Sequence, residues 1–160
     1  DAPEGGALFR VRLPIGTPST ITKPSQPVVS TLTKTMHRLL IVDDEPDIAD
    51  MLADILQSVG YQIVLAHSGR DALERLAEQS FDLILSDIRM PNLDGLGLYR
   101  ALAKNYPGMQ QRMIFVTGDI LQSVNVVAQK QHVPIIEKPF NPEHIQQIVA
   151  KQLAALEKQT

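Results

Sequence analysis

From His37 onward, short apolar runs alternate along the chain with longer segments whose apolar residues recur at helical spacing. Most of the runs are apolar at every position, which is typical of strands covered on both faces of a sheet. Five strand-then-helix units in succession predict an open parallel sheet with helices on both faces. The predicted strands are residues 39–42, 62–65, 83–85, 113–116 and 133–136.

The helical segments between these runs show one apolar stripe each, and these stripes are expected to form the core. The first stripe has six members, and Gly60 follows where a glycine C-cap would end the helix. These members are Ile48, Met51, Leu52, Ile55, Leu56 and Val59. The other four predicted helices have apolar stripes within residues 72–77, 96–102, 120–130 and 142–156.

Residues 1–36 differ in composition from the rest of the chain. Residues 14–35 are dominated by Pro, Ser and Thr, and the prolines prevent regular structure. Residues 7–13 alternate between apolar and polar positions, which indicates a strand, but a lone strand has no neighbour to pair with. We therefore predict a loose tail at residues 1–14, a flexible linker at 15–36 and a folded domain at 37–157.

Composition narrows the possible functions. Apolar residues make up 44% of the chain and charged residues 21%, as in soluble globular proteins. A net charge of −3 gives no reason to expect binding to nucleic acid or contact with a membrane surface. The chain has no cysteine, which excludes disulfides and thiol chemistry, and it shows neither a secretory signal nor a membrane-spanning apolar run. A cytoplasmic location is expected.

Candidate site residues lie directly after the predicted strands. In open parallel sheets, ligands bind beyond the carboxyl ends of the strands, where the strand order reverses. With a flavodoxin-like order, the first and third strands are neighbours, and their terminal acids would converge. The residues that follow the strands are Asp43, Asp44, Glu45, Asp87, Thr117 and Lys138.

The chemistry of this group indicates phosphoryl transfer. Two carboxylates about 4 Å apart repel by roughly 4 kcal/mol at an effective dielectric near 20, so three of them need a cation or a proton. No histidine or cysteine lies at a predicted strand end, and oxygen ligands favour Mg²⁺ first and Mn²⁺ second. Lys138 adds a positive charge and Thr117 a hydroxyl, which together can stabilise a transferring phosphoryl group.

Four motifs resemble the receiver domain of two-component response regulators: IVDDE at 41–45, SDIRMPNLDG at 86–95, VTGD at 116–119 and EKPF at 137–140. The resemblance covers residues 37–156. It implies a flavodoxin-like, doubly wound (βα)5 fold of the α/β class, whose five-stranded parallel sheet has the order 2-1-3-4-5. It also implies Mg²⁺-dependent transfer from a phosphohistidine partner to Asp87, which is the phosphoacceptor.

The same resemblance assigns the other site residues. Thr117 and Lys138 would contact the phosphoryl oxygens, and the peptide bond before Pro139 would be cis. One position departs from the family pattern, because Ile135 stands where the family often has Tyr or Phe that turns inward on activation. The implied metal ligands are Asp43, Asp44, Asp87 and the backbone carbonyl of Arg89.

Residues 5–15, GGALFRVRLPI, are similar to the last strand of the ATP-binding domain of sensor histidine kinases. This similarity favours a receiver at the end of a hybrid histidine kinase, with residues 1–14 as a remnant of the kinase domain. The phosphodonor would be a histidine kinase or a histidine phosphotransfer domain, in cis or in trans, and the parent chain could be membrane-anchored.

Three alternatives stay open. A free-standing receiver could begin at Met36 and act by docking onto a target protein. A receiver-like binding module would never need phosphate. A metal-dependent phosphatase would usually have a second acid two residues after the nucleophile, where this chain has Arg89.

Simpler interpretations exist for single residues. Asp43 and Asp44 could merely cap the helix that begins near Pro46, and Asp119 could cap the helix that follows it. The histidines are expected to be surface residues away from the strand ends: His37, His67, His132 and His144.

Overall fold

The computed structural model describes residues 36–118 and 128–158 of the chain. Within them, five strands alternate with helices. The strands are Arg38–Val42 (β1), Gln62–Ala66 (β2), Leu83–Asp87 (β3), Met113–Thr117 (β4) and Ile135–Glu137 (β5). The helices are Pro46–Gln57 (α1), Gly69–Glu78 (α2), Gly95–Asn105 (α3), a short 3₁₀ helix at Met109–Arg112, and the C-terminal helix at Pro142–Glu157.

The five strands form one parallel sheet with the order β2-β1-β3-β4-β5, which confirms the predicted flavodoxin-like fold. The register brings the carboxyl ends of neighbouring strands to the same edge. Val42 pairs with Ser86, Asp87 with Val116, and Thr117 with Glu137. A residue that ends β3 therefore lies between the residues that end β1 and β4.

Alternating side chains of the strands pack into two apolar layers, one on each face of the sheet. Leu40, Ile84 and Phe115 lie in the layer that is covered by α2 and α3. Leu39, Leu85 and the other intervening residues lie in the layer covered by α1 and the C-terminal helix. All five of these side chains are fully buried, as their apolar runs predict.

Helix α1 corrects one part of the predicted core. Met51 and Val59 are 40% and 39% exposed, so their assignment to the buried stripe was wrong. The helix buries Leu52 and Leu56, as predicted, and also Ala49 and Ala53, which the stripe did not include. The two alanines extend the buried face of the helix with small side chains.

The end of α1 agrees with the prediction for Gly60. Its backbone has a φ of 94°, in the left-handed region that favours glycine. Its N–H donates to the carbonyl of Gln57 at 2.9 Å, and Tyr61 N–H donates to Leu56 at 3.3 Å. These two hydrogen bonds close the helix in the way that a glycine after the C-cap commonly does.

Two histidines differ from the prediction, His37 in its burial and His67 in its place beside a strand end. The imidazole of His37 is only 23% exposed, with Nδ1 3.6 Å from Asp82 and Nε2 3.4 Å from Glu157. His67 directly follows the end of β2, so it does lie at a strand end, although its side chain is exposed. His132 and His144 are exposed, as expected.

Other sequence predictions fall outside the described residues. These are the loose tail at 1–14, the linker up to residue 35, Asp119 and most of the helix predicted at 120–130, of which residues 128–130 are helical. No helix in the described part of the chain is long and apolar enough to cross a membrane.

Candidate functional site

Four predicted site residues lie at the carboxyl edge of the sheet. Asp87 and Thr117 are the last residues of β3 and β4, while Asp43 and Lys138 directly follow β1 and β5. Asp43 and Thr117 are each 1% exposed and Asp87 is 6% exposed. The burial of two acids beside each other requires compensation from a positive charge or from hydrogen-bond donors.

Lys138 supplies the positive charge. Its ammonium nitrogen lies 2.9 Å from Oδ1 of Asp87, 3.1 Å from Oδ2 of Asp43 and 3.9 Å from Oε1 of Glu45. The backbone N–H of the same lysine donates to the carbonyl of Thr117 at 2.8 Å. One ammonium group therefore joins the ends of β1 and β3, and its backbone is fixed to the end of β4.

The acceptor candidate Asp87 is held by backbone groups as well. Its Oδ2 accepts a hydrogen bond from the N–H of Arg89 at 2.7 Å. Its carbonyl accepts from the hydroxyl of Ser86 at 2.9 Å, and Ile88 N–H donates to the carbonyl of Val116 at 3.0 Å. The carboxylate is thus oriented by Lys138 on one oxygen and by the start of the following loop on the other.

The electrostatics of this group depend on burial. Desolvation raises the pKa of Asp87 above its usual value, even though the hydrogen bond and charge of Lys138 act to lower it. The nearby charge of Asp43 raises that pKa further, and the Arg89 N–H lowers it. Burial lowers the pKa of Lys138, but the bonds to Asp87 and Asp43 prevail and the pKa is raised, so the ammonium stays charged.

This pKa shift predicts that Asp87→Asn stabilises the metal-free fold at neutral pH and raises its thermal midpoint. The folded domain disfavours the charged carboxylate, and the amide has no charge. Because the folded pKa lies above the ordinary 3.8, the penalty is absent below pH 3.8 and develops as pH rises through the folded value.

Thermal melts of both proteins in a chelator, followed by circular dichroism, measure this effect. The gain from Asp87→Asn should be largest near pH 7 and shrink towards pH 4. A variant that is less stable than the wild type at pH 7 would contradict the prediction.

Asp44, the third predicted carboxylate, differs from Asp43 and Asp87 in its exposure. Asp44 is exposed and borders a cavity of about 490 Å³, which Ile88, Arg89 and Asp94 also line. Among the described residues, no group of three His, Cys, Asp or Glu side chains is placed to hold a metal ion. The three acids therefore do not form a preassembled cage, and the ammonium of Lys138 is the cation that contacts two of the predicted ligands.

The donor chemistry nevertheless fits a hard cation. Magnesium is usually bound by one or two carboxylates together with waters and phosphate oxygens, rather than by an all-protein cage. Asp43 and Asp87 provide two neighbouring carboxylates, while Asp44 and Arg89 border the adjoining cavity. The metal ligands stay a prediction.

Helix capping does not account for the two acids after β1. The N-cap of α1 is Glu45, which makes no side-chain capping bond, and Pro46 is the first helical residue. Asp43 accepts from the N–H of Glu45 at 3.0 Å while its other oxygen contacts Lys138. Asp43, Asp87 and Lys138 are here called the ion-pair group. The bond from Glu45 N–H fixes the direction of the Asp43 carboxylate within it.

The loop after Asp87 contains features that the sequence showed only in part. Gly95 lies at the end of this loop, and a Cβ there would collide with the carbonyl oxygen of Asp87. The Lys138–Pro139 peptide is cis, as the resemblance implied. Ile135 begins β5 and pairs in register with Phe115, against which the ring of Tyr99 packs at 5.9 Å.

These features define a class of protein: small flavodoxin-like α/β domains with buried acids and a lysine at the carboxyl edge of the sheet. Residues 39–150 match the family of response regulator receiver domains. The chain belongs to this family.

Individual comparisons agree. The chain is 31% identical over 121 residues to the response regulator receiver protein CpdR of Brucella abortus, covering 75% of this chain and 99% of that protein. A CheY-like receiver domain protein from Methanospirillum hungatei JF-1 has a similar crystal structure, with a TM-score of 0.72 and 31% identity over 79% of this chain and all of that one.

The relatives differ in the kind of protein that carries the receiver domain. The signal receiver domain of a signal transduction histidine kinase from Syntrophus aciditrophicus gives a TM-score of 0.66 and 31% identity, covering 74% of this chain and 91% of that one. Several transcriptional regulatory proteins also match, but the chain spans only about a quarter of their length.

Proposed function

We propose that the chain is the phosphoacceptor of a two-component phosphorelay, in which phosphoryl transfer from a phosphohistidine to Asp87 depends on Mg²⁺. The observation that carries this proposal is the contact of one lysine ammonium with two buried carboxylates at the carboxyl edge, at 2.9 and 3.1 Å. This arrangement places a nucleophile and a positive charge within contact of each other, in a family whose members accept phosphoryl groups.

In the proposed reaction, a carboxylate oxygen of Asp87 attacks the phosphorus atom of the donor. The bond between phosphorus and the imidazole nitrogen breaks, its electron pair stays on the nitrogen, and the ring takes up a proton. Lys138 neutralises charge on the phosphoryl oxygens, and the hydroxyl of Thr117 donates to them. The N–H of Arg89 keeps the nucleophile oriented.

Metal binding is part of the proposal. Asp43, Asp44, Asp87 and the backbone carbonyl of Arg89 would hold Mg²⁺, with Mn²⁺ as a substitute. The ion would supply positive charge for the phosphoryl oxygens, which a single lysine provides only in part.

The direct test is mass spectrometry of the intact protein with a small phosphodonor. Acetyl phosphate and Mg²⁺ together should add the mass of one phosphoryl group, and excess chelator should lower the labelling rate by about 10²-fold or more. Labelling that proceeds equally fast in chelator would contradict the role of the metal. Absence of any mass gain with Mg²⁺ would contradict the proposed function.

Specific observations support two kinds of parent protein for this receiver domain, a hybrid histidine kinase and a free-standing receiver. The similarity of residues 5–15 to a histidine kinase strand, together with the matching receiver from a Syntrophus histidine kinase, favours a hybrid kinase. The match to nearly the whole of CpdR favours a free-standing receiver. In both contexts the proposed partner is a histidine kinase or histidine phosphotransfer domain, and the proposed setting is the cytoplasm. The sequence immediately before Asp1 decides between the two contexts.

A further inference from the structure

The loop that follows the acceptor, residues 88–94, is here called the acceptor loop. Its first part carries the N–H of Arg89 that binds Asp87. Near its end, Pro91, Asn92 and Asp94 are exposed, and Leu93 is the half-buried side chain among them. Two contacts hold this part of the loop: the packing of Leu93, and the hydrogen bond from Gly97 N–H to Oδ1 of Asp94 at 2.6 Å.

Leu93 lies against two glycines from different helices. A Cβ added to Gly69, the first residue of α2, would lie 2.5 Å from the carbonyl oxygen of Leu93 and 2.8 Å from its Cγ. A Cβ added to Gly97 in the first turn of α3 would lie 2.8 Å from its Cδ1. Real Cβ atoms essentially never approach so closely, so both helices accept Leu93 only because they have glycine there.

The two contacts differ in kind. The Gly97 contact involves the far end of the leucine side chain, which can rotate away. The Gly69 contact involves the backbone carbonyl of Leu93, so a methyl group at residue 69 could be accommodated only if the loop or α2 moved. Gly69 itself is buried, and it lies in a helix that contributes no residue to the ion-pair group.

Backbone hydrogen bonds within the acceptor loop connect Leu93 to the start of the loop. The N–H of Gly95 donates to the carbonyl of Ile88 at 3.0 Å, and the N–H of Leu93 donates to Pro91 at 2.8 Å. Asn92 has a φ of 66°, so the chain reverses tightly between these bonds. A displacement of Leu93 is therefore passed through a short, internally bonded segment to Arg89 and Asp87.

We propose that Gly69 and Gly97 form a seat for Leu93 of the acceptor loop, and that Gly69 is a positioning residue for phosphoryl transfer to Asp87. This inference rests on the proposed function. The seat sets the place of the Arg89 N–H and hence the direction of the Asp87 carboxylate. Misplacement of a reacting group by about 1 Å can lower a rate by up to 10²-fold, so a small shift of the loop has a measurable consequence.

Gly69→Ala tests the seat, and Gly108→Ala is its matched control. A Cβ at Gly108 meets nothing within 4 Å, but its φ of 89° strains any other residue, so this variant loses stability without touching the loop. At a temperature where all proteins are folded, Gly69→Ala should be labelled by acetyl phosphate and Mg²⁺ about tenfold more slowly than wild type. Gly108→Ala should keep the wild-type rate.

A second readout needs no phosphoryl transfer. The amide proton of Arg89 should exchange with solvent at least about threefold faster in Gly69→Ala, as measured by NMR of the metal-free protein, because its bond to Asp87 is disturbed. Leu93→Ala removes the side chain that packs against Gly69 and Gly97 and adds no atoms. It therefore serves as the second test variant if Gly69→Ala does not fold. It should show the same direction of change in both measurements.

The outcomes are distinguishable from failure of the proposed function. If the wild type takes no label, the proposed function fails. Comparison of Arg89 amide exchange in Gly69→Ala and wild type still tests whether the seat positions the acceptor loop. Unchanged labelling and exchange in Gly69→Ala, or in Leu93→Ala where the former does not fold, would overturn the inference. An equal slowing in Gly108→Ala would also overturn it, because general destabilisation would then explain the effect.

Discussion

Asp87→Asn is expected to abolish phosphoryl labelling by acetyl phosphate and Mg²⁺, lowering the rate by more than about 10³-fold, since loss of a nucleophile lowers enzymatic rates by up to about 10⁶-fold. Asparagine has nearly the same shape and keeps one oxygen that can accept from Lys138 or Arg89, so the surrounding structure should persist. What it loses is the negatively charged nucleophile. Mass spectrometry of the intact variant over several half-lives of wild-type labelling measures the effect.

The matched control is Asp54→Asn, which removes an exposed carboxylate from α1. This variant should take the label at the wild-type rate, because Asp54 does not belong to the ion-pair group. Labelling of Asp87→Asn at the wild-type rate would show that another residue is the acceptor. In that case the contacts of Lys138 with Asp87 and Asp43 would be purely structural.

The location of the site could be predicted because it follows from topology. Residues that end parallel strands meet at one edge, and the order β2-β1-β3-β4-β5 makes the strand carrying Asp87 central. The motifs then identified Asp43 and Lys138, and the structure places the lysine in contact with both acids. Strand order and register were sufficient to predict the location of these site residues, because neither depends on the details of side-chain packing.

The failures have a different physical origin. Helical periodicity marks Met51 and Val59 as core residues, but both are exposed, and the helix buries Ala49 and Ala53, whose small side chains contribute little to an apolar pattern. The convergence of Asp43 and Asp87 could be predicted from strand ends. The exposure of Asp44 could not, because one residue of loop separates it from the strand and redirects its side chain.

Contacts between distant segments were also beyond sequence reasoning. No sequence pattern singles out Gly69, and Leu93 stands out only as a member of the motif at 86–95. Their contact depends on how closely α2 approaches the acceptor loop, to within tenths of an ångström. The same holds for His37, whose two carboxylate neighbours, Asp82 and Glu157, lie far from it in sequence.

The balance of charge at the site gives Lys138 two separable roles. Its ammonium is the positive group that contacts both Asp43 and Asp87, and its side chain is 19% exposed. In the resting domain it offsets the burial of the two acids, and in the proposed reaction it faces the phosphoryl oxygens. A substitution that removes the charge but keeps the length of the side chain should therefore affect both stability and rate.

Lys138→Met is expected to lower the labelling rate by about 10²–10³-fold. Removal of one group that stabilises developing charge in a transition state typically lowers an enzymatic rate by this factor. Loss of one partner of a buried ion pair costs roughly 3–5 kcal/mol, and we expect about 2 kcal/mol here because Asp87 can take up a proton. Urea unfolding in a chelator measures the stability, and intact-mass spectrometry measures the rate. Lys151→Met, on the exposed face of the C-terminal helix, should change the free energy of unfolding by less than about 0.5 kcal/mol.

A double variant separates the two roles of this lysine. Lys138→Met combined with Asp87→Asn should recover most of the lost free energy of unfolding, since only one buried carboxylate, Asp43, then lacks its partner. It should recover none of the labelling, because the nucleophile is gone. If the single and double variants were equally unstable, the charge of Asp87 would not be the cause of the loss, and the unpaired charge of Asp43 would account for it.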